Sequence, residues 1–206
     1  MSDRDLYDRK PNPLLIVISG PSGVGKDVTI QGLQTAGYPF HFVVTATSRP
    51  KRSGEIQGKD YIFVSEEEFT RMIQAGEFLE HALVYGQYKG IPKAQVQQAL
   101  ASGLDVIMRV DVQGAATVQR LVPEAIFVFL MPGSDEELAE RLSARSSESP
   151  EHLQQRLETA RLEMKQIDWF DYVIVNRHAQ LKSTVEQLLA IITAEKCRVR
   201  QRVIRL

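Results

Sequence analysis

The stretch 16–26, Ile-Val-Ile-Ser-Gly-Pro-Ser-Gly-Val-Gly-Lys, constrains the fold of this chain more than any other part of it. It begins within an apolar run, Leu14 to Ile18, that has the length of a buried strand. A glycine-rich turn follows, and then a segment that can form a helix. Glycines allow backbone angles at which successive N–H groups converge on a phosphate, and Lys26 adds a cation for the terminal phosphates. This layout predicts a phosphate-binding P-loop made of Gly20, Pro21, Ser22, Gly23, Val24, Gly25 and Lys26.

The residue after the lysine departs from the usual P-loop pattern. The motif normally has Ser or Thr there, whose hydroxyl binds Mg²⁺, whereas this chain has Asp27. Thr29 cannot replace that hydroxyl, because residues two apart on a helix lie on nearly opposite faces. A carboxylate is also a hard oxygen ligand for Mg²⁺, although it adds negative charge beside a triphosphate. Asp27 is therefore either an altered Mg²⁺ contact or a sign of a diverged site, and the loop alone leaves both open.

Composition and charge argue against several kinds of protein. The 206 residues carry 25 Lys and Arg against 26 Asp and Glu, and a formal charge of −1 gives no overall attraction to nucleic acid or to an anionic membrane. The single cysteine, Cys197, suits a reducing compartment. The N-terminal residues lack the apolar core of a signal peptide, and no apolar run has the length of a membrane span. We expect a cytosolic protein that binds neither nucleic acid nor membrane.

Strands and helices alternate along most of the chain, which favours an α/β fold. The prediction is a three-layer P-loop fold with a parallel five-stranded sheet, in a single domain over 1–206. Residues 14–40 and 92–195 are expected to form the core, 41–91 an inserted and mostly β lobe, 141–156 a short helical lid and 196–206 a basic tail. Strands are predicted at 14–18, 41–47, 61–64, 77–85, 105–110, 125–131 and 171–175, a turn at 86–90, and helices at 25–36, 65–75, 92–101, 114–121, 134–145, 150–166 and 181–195.

Three arginines flank a serine-rich interruption at 146–150. Arg141 and Arg145 share a helix face because they are four residues apart, and Arg156 comes from the next helix. Guanidinium groups around a short polar loop are typical of a lid that neutralises phosphate charge during transfer. The alternative is that these arginines are simply solvated on helix surfaces.

The lobe contains a second cationic group and, at its far end, an acid. Pro50 stiffens the chain between Arg49 and Arg52, which favours a preformed anion site, and the hydroxyl of Tyr61 can donate to the same anion. A solvated basic loop is the alternative. Glu80 and Asp111 are acids in apolar surroundings near strand ends. Such carboxylates can accept the N1–H and 2-amino hydrogens of guanine, a donor pair that adenine lacks.

Six stretches give the chain a resemblance to guanylate kinases over about residues 14–195. They are Gly20-Pro-Ser-Gly-Val-Gly-Lys26, Thr47-Ser-Arg-Pro-Lys-Arg-Ser-Gly-Glu55, Gly58-Lys-Asp-Tyr-Ile-Phe-Val64, Gly76-Glu-Phe-Leu-Glu80, Asp111-Val-Gln-Gly-Ala115 and Phe170-Asp-Tyr-Val-Ile-Val-Asn176. Several of these are specific to that family. The resemblance implies Mg²⁺-dependent transfer of the γ-phosphoryl group of ATP to GMP, with no covalent intermediate.

The resemblance also implies roles for individual residues. Those expected at the GMP phosphate are Arg49, Arg52 and Tyr61. Those expected at the guanine are Thr45, Glu80 and Asp111, with Tyr88 lying against the base. The lid and transfer-site arginines would be Arg141, Arg145 and Arg156, Asn176 would lie on the adenine side of ATP, and Asp27 would be the candidate Mg²⁺ ligand.

Five residues depart from the family pattern. Besides Asp27, Val28 replaces a second hydroxyl residue of the P-loop. Lys89 and Ile91 replace a tyrosine and a hydroxyl residue near the GMP phosphate, and we hypothesise that Lys89 substitutes for the tyrosine as a phosphate contact. Arg109 replaces an acid two residues before Asp111. We interpret these changes as a branch-specific variant, because both substrate sites keep their main charged groups.

Two rival functions remain open from the sequence. A ribose 1,5-bisphosphate kinase resembles guanylate kinases and tolerates Asp after the lysine, but a sugar phosphate has no use for Glu80 and Asp111. A non-catalytic module that binds phosphorylated proteins would typically lose the ATP loop, whereas Lys26 is present. The basic tail, 196–206, lies outside the resemblance; we expect it to be solvated and frayed, and a contact with another subunit is the alternative.

Overall fold

The computed structural model describes residues 10–84, 86–143 and 150–206, so the predicted lid arginine Arg145 lies outside the described residues. The strands are β1 Leu15–Ser19, β2 Phe40–Phe42, β3 Ala46–Thr47, β4 Ile62–Phe63, β5 Phe78–Val84, β6 Gln87–Pro92, β7 Asp105–Arg109, β8 Ile126–Pro132 and β9 Tyr172–Asn176. The helices are α1 Lys26–Thr35, α2 Glu66–Gln74, α3 Lys93–Ala101, α4 Val112–Leu121, α5 Asp135–Ser143, α6 Pro150–Met164 and α7 Leu181–Lys196, with a 3₁₀ turn at Ile167–Trp169.

The core is a five-stranded sheet in the order β2-β7-β1-β8-β9, and every pairing within it is parallel. This confirms the predicted α/β fold. All five residues of the central strand β1 are buried. Leu15 and Val17 pack into a hydrophobic cluster on one face, and Ile16 and Ile18 into a second cluster on the other. Alternate residues of a strand point to opposite faces, so a continuous apolar run needs helices on both sides of the sheet.

The inserted lobe is a second, four-stranded sheet in the order β4-β3-β6-β5. The strand predicted at 41–47 is in fact divided, since Phe40–Phe42 pairs with β7 in the core sheet and Ala46–Thr47 belongs to the lobe. The turn predicted at 86–90 is wrong. Gln87–Pro92 instead forms an antiparallel hairpin with β5, because the reversal needs only the short segment around Gly86.

The C-terminal tail is packed against the domain, which corrects the expectation of a frayed segment. Arg202 donates to the Glu195 carboxylate at 2.9 Å and to the Ala125 carbonyl at 3.0 Å. Ile204 packs against the first hydrophobic cluster. Glu195 is only 2% exposed, and a buried carboxylate needs a cation close to it. The positive charge of residues 196–206 did not by itself indicate that Glu195 is the partner of Arg202.

No helix in the part of the chain that the structure describes is long and apolar enough to cross a membrane.

Candidate active site

The phosphate loop lies at the carboxyl end of β1, and two of its glycines are required by its geometry. Gly20 has a φ of 135°, and a side chain there would collide with the backbone of Leu130. Gly25 has a φ of 101°, and a Cβ atom would lie 2.5 Å from the amide nitrogen of Asn176. Other residues rarely adopt such angles. Glycine is therefore required at both positions for two reasons: the backbone angle, and the close approach of neighbouring atoms.

Lys26 folds back over this loop. Its Nζ donates to the carbonyl oxygens of Gly20 at 2.5 Å and Pro21 at 3.1 Å. The ammonium group therefore lies above the same backbone turn that would surround a phosphate, as the motif predicts.

Arg141 and Asn176 brace the loop from behind. Arg141 donates to the carbonyl oxygens of Val24 at 3.0 Å and of Asn176 at 2.8 Å. The Asn176 side chain donates to the same Val24 carbonyl at 2.8 Å and accepts from Thr184 at 2.9 Å. Both residues thus hold the loop in place in this structure. The transfer role of Arg141 and the adenine contact of Asn176 stay predictions.

Asp27 lies in the first turn of α1 and forms an ion pair with Arg109 through Oδ1 and Nη1. Arg109 is the last residue of β7, and its partner in the register of β1 is Ile18. Its guanidinium is 6.0 Å from the centre of the Phe42 ring, and burial lowers its pKa from the ordinary value. Two of the five residues that depart from the family pattern are therefore in direct contact.

A cleft of about 300 Å³ separates the phosphate loop from the β lobe. It brings together most of the residues predicted from the sequence on both sides. These are residues 22–27 of the loop region, Thr45, Tyr61, Glu80, Lys89, Asp111 and, beside them, Arg109. Groups predicted for two different nucleotides therefore line one continuous space.

The two predicted guanine-binding acids converge at Gly114. A Cβ atom on Gly114 would lie 3.3 Å from both the Glu80 carboxyl carbon and Asp111 Oδ1. Asp111 caps α4 by accepting the Gly114 N–H at 2.7 Å. Burial, and then the nearby charge of Asp111, raise the pKa of Glu80 to about 7. Among the described residues none donates a hydrogen bond to Glu80, which is unusual for a buried carboxylate.

Arg49, predicted at the GMP phosphate, is fixed within the lobe and is not among the residues that line the cleft. Arg49 is 7% exposed and pairs with both carboxylate oxygens of Glu55. The guanidinium also lies 4.9 Å from the centre of the Tyr61 ring. Hydrogen bonds from Arg49 and then from the Arg52 backbone lower the pKa of Glu55 to about 2. The side chain of Arg52 is exposed and lies outside the residues that line the cleft.

Two further recesses adjoin the loop. One, of about 720 Å³, lies against α6 and is lined by Ser22, Lys26, Arg156 and Glu163. Arg156 donates to the Ser22 hydroxyl at 3.1 Å. Burial raises the pKa of Glu163, while the charge of Lys26 acts to lower it. The other recess, of about 350 Å³, is lined by Gly25, Asn176 and His178 among others.

Tyr88 is not brought to the cleft. Its ring stacks on Phe69 with 5.2 Å between ring centres, and it packs into the small core of the lobe. Lys89, the next residue of β6, lines the cleft instead, because successive side chains of a strand point to opposite faces. A turn at 86–90, as predicted, would not show this alternation between Tyr88 and Lys89. Burial lowers the pKa of Lys89, and Asp111 acts in the opposite direction.

Sequence reasoning missed two acids that organise the site, Glu55 and Glu163. Glu55 falls within a motif stretch, three residues after Arg52. An acid at that spacing in a turn can reach back to the arginines before it, and this was the available signal. Glu163 is seven residues after Arg156, which places both on one face of α6 after two helical turns.

The donor groups fit a metal ion that arrives with a nucleotide. No group of three or more His, Cys, Asp or Glu side chains within the described ranges could hold a metal on its own. A divalent cation that keeps water and shares phosphate oxygens needs only one or two carboxylates. The Asp27 side chain is 49% exposed and lines the cleft, so it can provide one.

A parallel α/β core with a P-loop at its central strand, facing a β lobe across a cleft where Glu80 of the lobe and Asp111 of the core converge, defines a P-loop phosphotransferase of the nucleoside monophosphate kinase type. The family model for guanylate kinase matches residues 12–195. The chain therefore belongs to the guanylate kinase family.

Relatives and a solved structure agree with this assignment. The chain is 53% identical over 195 residues to guanylate kinase 2, chloroplastic/mitochondrial, of Oryza sativa subsp. japonica, covering 94% of this chain and 68% of the relative. It is 47% identical over 189 residues to a guanylate kinase of Symbiobacterium thermophilum, covering 92% and 89%. A crystal structure of guanylate kinase from Anaplasma phagocytophilum is 31% identical, covers 95% of this chain and 92% of that one, and superposes with a TM-score of 0.75.

Proposed function

We propose that this protein transfers the γ-phosphoryl group of ATP to GMP and releases ADP and GDP. The observation that carries the proposal is the placement of Glu80 and Asp111, two converging acids, across one cleft from Lys26 and the phosphate loop. An acid pair of this kind matches the donor edge of guanine, and the loop matches a triphosphate.

On the donor side, the backbone N–H groups of residues 22–26 and the Lys26 ammonium hold the ATP phosphates. The recess beside Asn176 receives the adenine. Arg156 comes from α6 toward the loop and is placed to neutralise the phosphoryl group in flight; Arg141 and Arg145 complete this set of cations.

On the acceptor side, Arg49, Arg52 and Tyr61 hold the GMP phosphate. The pair of Arg49 with Glu55 supports this role, because an arginine fixed before binding loses little side-chain entropy when the phosphate arrives. Thr45, Glu80 and Asp111 read the guanine. Lys89, which lines the cleft where Tyr88 does not, supplies a further phosphate contact.

The metal ion proposed with ATP is Mg²⁺, with the Asp27 carboxylate as its contact from the protein. Bound Mg²⁺ neutralises charge on the β- and γ-phosphates. The remaining work belongs to the chain, which places the two phosphates in line and excludes water that would otherwise hydrolyse ATP. No covalent intermediate on the protein is required.

The rival functions are less well supported by the site. A ribose bisphosphate offers no hydrogen-bond donor pair to Glu80 and Asp111, and a non-catalytic module has no need of the intact loop around Lys26. A cytosolic location stays a prediction of the sequence.

The test is a coupled assay for ADP with ATP and Mg²⁺, supplied in turn with GMP, AMP, CMP, UMP, ribose 1,5-bisphosphate or no acceptor. We expect turnover with GMP at least tenfold above every other acceptor, consistent with hydrogen-bond readout of a base. Preference for the sugar phosphate, or no turnover with any acceptor, would overturn the proposal.

A further inference from the structure

The ion pair between Asp27 and Arg109 lies in the cleft that is lined by residues proposed for both nucleotides. Asp27 belongs to the helix that follows the phosphate loop, and Arg109 ends the neighbouring strand β7, two residues before Asp111. Parallel pairing of Ile18 with Arg109 places the arginine level with the start of the loop. The contact therefore follows from the register of the core sheet and does not depend on a surface loop.

The two partners differ in exposure. The Arg109 side chain is 23% exposed, whereas that of Asp27 is 49% exposed. The shortest contact of the ion pair joins Arg109 Nη1 to Oδ1 of Asp27. The carboxylate is thus held from the protein side and still lines the cleft, where Lys26, Lys89, Glu80 and Asp111 also lie.

An acid at this position is costly without a counter-charge. A carboxylate beside the phosphate loop repels a triphosphate, and the repulsion is strongest before a metal ion has bound. An arginine stays charged at neutral pH and is the residue best suited to a partly buried ion pair.

We propose that Arg109 is a positioning residue for ATP: it cancels the charge of Asp27 and fixes that carboxylate in the cleft beside the metal–nucleotide complex. The inference rests on the donor site proposed above and extends it to two of the residues at which the chain departs from its family. Arg109 acts through Asp27 and makes no contact with the phosphates.

The test measures ATP binding by isothermal titration calorimetry without GMP, once with EDTA and once with excess Mg²⁺. The variants are Arg109→Met, Arg109→Lys, Asp27→Asn and the double variant Asp27→Asn/Arg109→Met. Arg120→Met is the matched control, because Arg120 is an exposed arginine in the last turn of α4 that bonds only Thr117 in the described structure. Thermal unfolding of each variant is recorded alongside.

We expect Arg109→Met to weaken metal-free ATP binding about tenfold, and to weaken it less with Mg²⁺, which takes over part of the neutralisation. Removing the acid as well should restore metal-free binding to within about twofold of wild type, and Arg109→Lys should keep most of it. Asp27→Asn alone should tighten metal-free binding about threefold and should reduce the gain that Mg²⁺ gives.

Three results would overturn the inference. Equal weakening by Arg109→Met and the double variant would mean that Arg109 touches ATP directly or only supports the fold. Wild-type affinity in Arg109→Met would mean that the pair has no role in binding. Weaker metal-free binding in Asp27→Asn would contradict the charge argument even if Arg109→Met fails to fold. Absence of ATP binding by the wild-type protein would instead overturn the donor site itself, and the inference with it.

Discussion

The two ends of the central sheet treat buried acids in opposite ways. At the amino end, Asp105 is 2% exposed and accepts from the Leu14 N–H at 2.9 Å, from the Tyr38 hydroxyl and from Lys196 at 2.9 Å. On the lobe strand that lines the cleft at the carboxyl end, Glu80 is 8% exposed and accepts no hydrogen bond from any described residue. A buried carboxylate without donors is costly. The fold satisfies the first acid, and we propose that the second is kept for a ligand.

The same contrast appears in the tail and the loop. At the amino end, Glu195 accepts from Arg202 at 2.9 Å and from the Tyr172 hydroxyl at 2.6 Å. Burial alone would raise the pKa of Glu195, but these hydrogen bonds outweigh it and lower the pKa. At the carboxyl end, Asp27 has one cation and remains half exposed. Charge is satisfied where the fold needs it and left available where substrates bind.

The largest expected effect is a loss of activity, without a loss of stability, from a substitution at the carboxyl end of the sheet. Lys26→Met should lower kcat about 1,000-fold, because it removes the mobile cation at the terminal phosphates. The free energy of unfolding should change by less than about 0.5 kcal/mol, since Lys26 lines the cleft and belongs to none of the hydrophobic clusters that stabilise the fold. Coupled ADP assays and urea denaturation measure the two quantities. A large loss of stability with this variant would break the contrast.

The next prediction tests the amino end. Glu195→Gln should lower the free energy of unfolding by about 2 kcal/mol, because the partly buried Arg202 loses the nearer of its counter-charges and keeps only Asp171, at 3.7 Å, among the described ion pairs. The kcat of the folded protein should be unchanged, since this cluster lies at the end of the sheet opposite the cleft. Urea denaturation followed by a kinetic assay at low temperature distinguishes the two effects. Unchanged stability would contradict our description of the tail as packed.

Glu80→Gln should have a smaller effect, confined to one substrate. Replacing a carboxylate that accepts two guanine hydrogens by an amide should weaken GMP about 30-fold, the loss of about 2 kcal/mol of charged hydrogen bonding. The affinity for ATP should change less than twofold. Titrations of each nucleotide alone measure this, and equal losses for GMP and ATP would show that Glu80 is structural.

The smallest predicted effect is a pH dependence. Burial holds the pKa of Glu80 near 7 in the free protein, and only the ionised form accepts both guanine hydrogens. GMP affinity should therefore be highest above the pKa and fall as pH decreases, by about fourfold between pH 8 and pH 6.5. The guanosine nucleoside, which has no titrating phosphate, should show the same slope. A flat profile in wild type, or an unchanged slope in Glu80→Gln, would contradict the assignment.

The sequence predicts the fold well because its strongest signals are local. Apolar strands such as Leu15–Ser19 alternate with helices whose starts carry capping residues, and Ser65 accepts from the Glu68 N–H as that pattern predicts. The phosphate loop is read from residues 20–26 alone. These features need no knowledge of which strands become neighbours.

Features that depend on strand neighbours were not predictable in the same way. The contact of Asp27 with Arg109 requires the register of β1 against β7, 82 positions apart in numbering, and the separation of Tyr88 from Lys89 requires β6 to be recognised as a strand. The docking of Arg202 on Glu195 and Ala125 depends on a long-range contact in the same way. The local clue to the first of these contacts was that Asp27 and Arg109, which both depart from the family pattern, carry opposite charges.

The most direct test of the account is a crystal structure of the protein with GMP and ADP bound together. We predict the guanine edge against Glu80 and Asp111, the GMP phosphate at Arg49 and Tyr61, and the ADP phosphates within the loop of residues 20–26. Guanine bound anywhere else, with Glu80 left without a donor from the ligand, would contradict the claim that this buried acid is kept for the base.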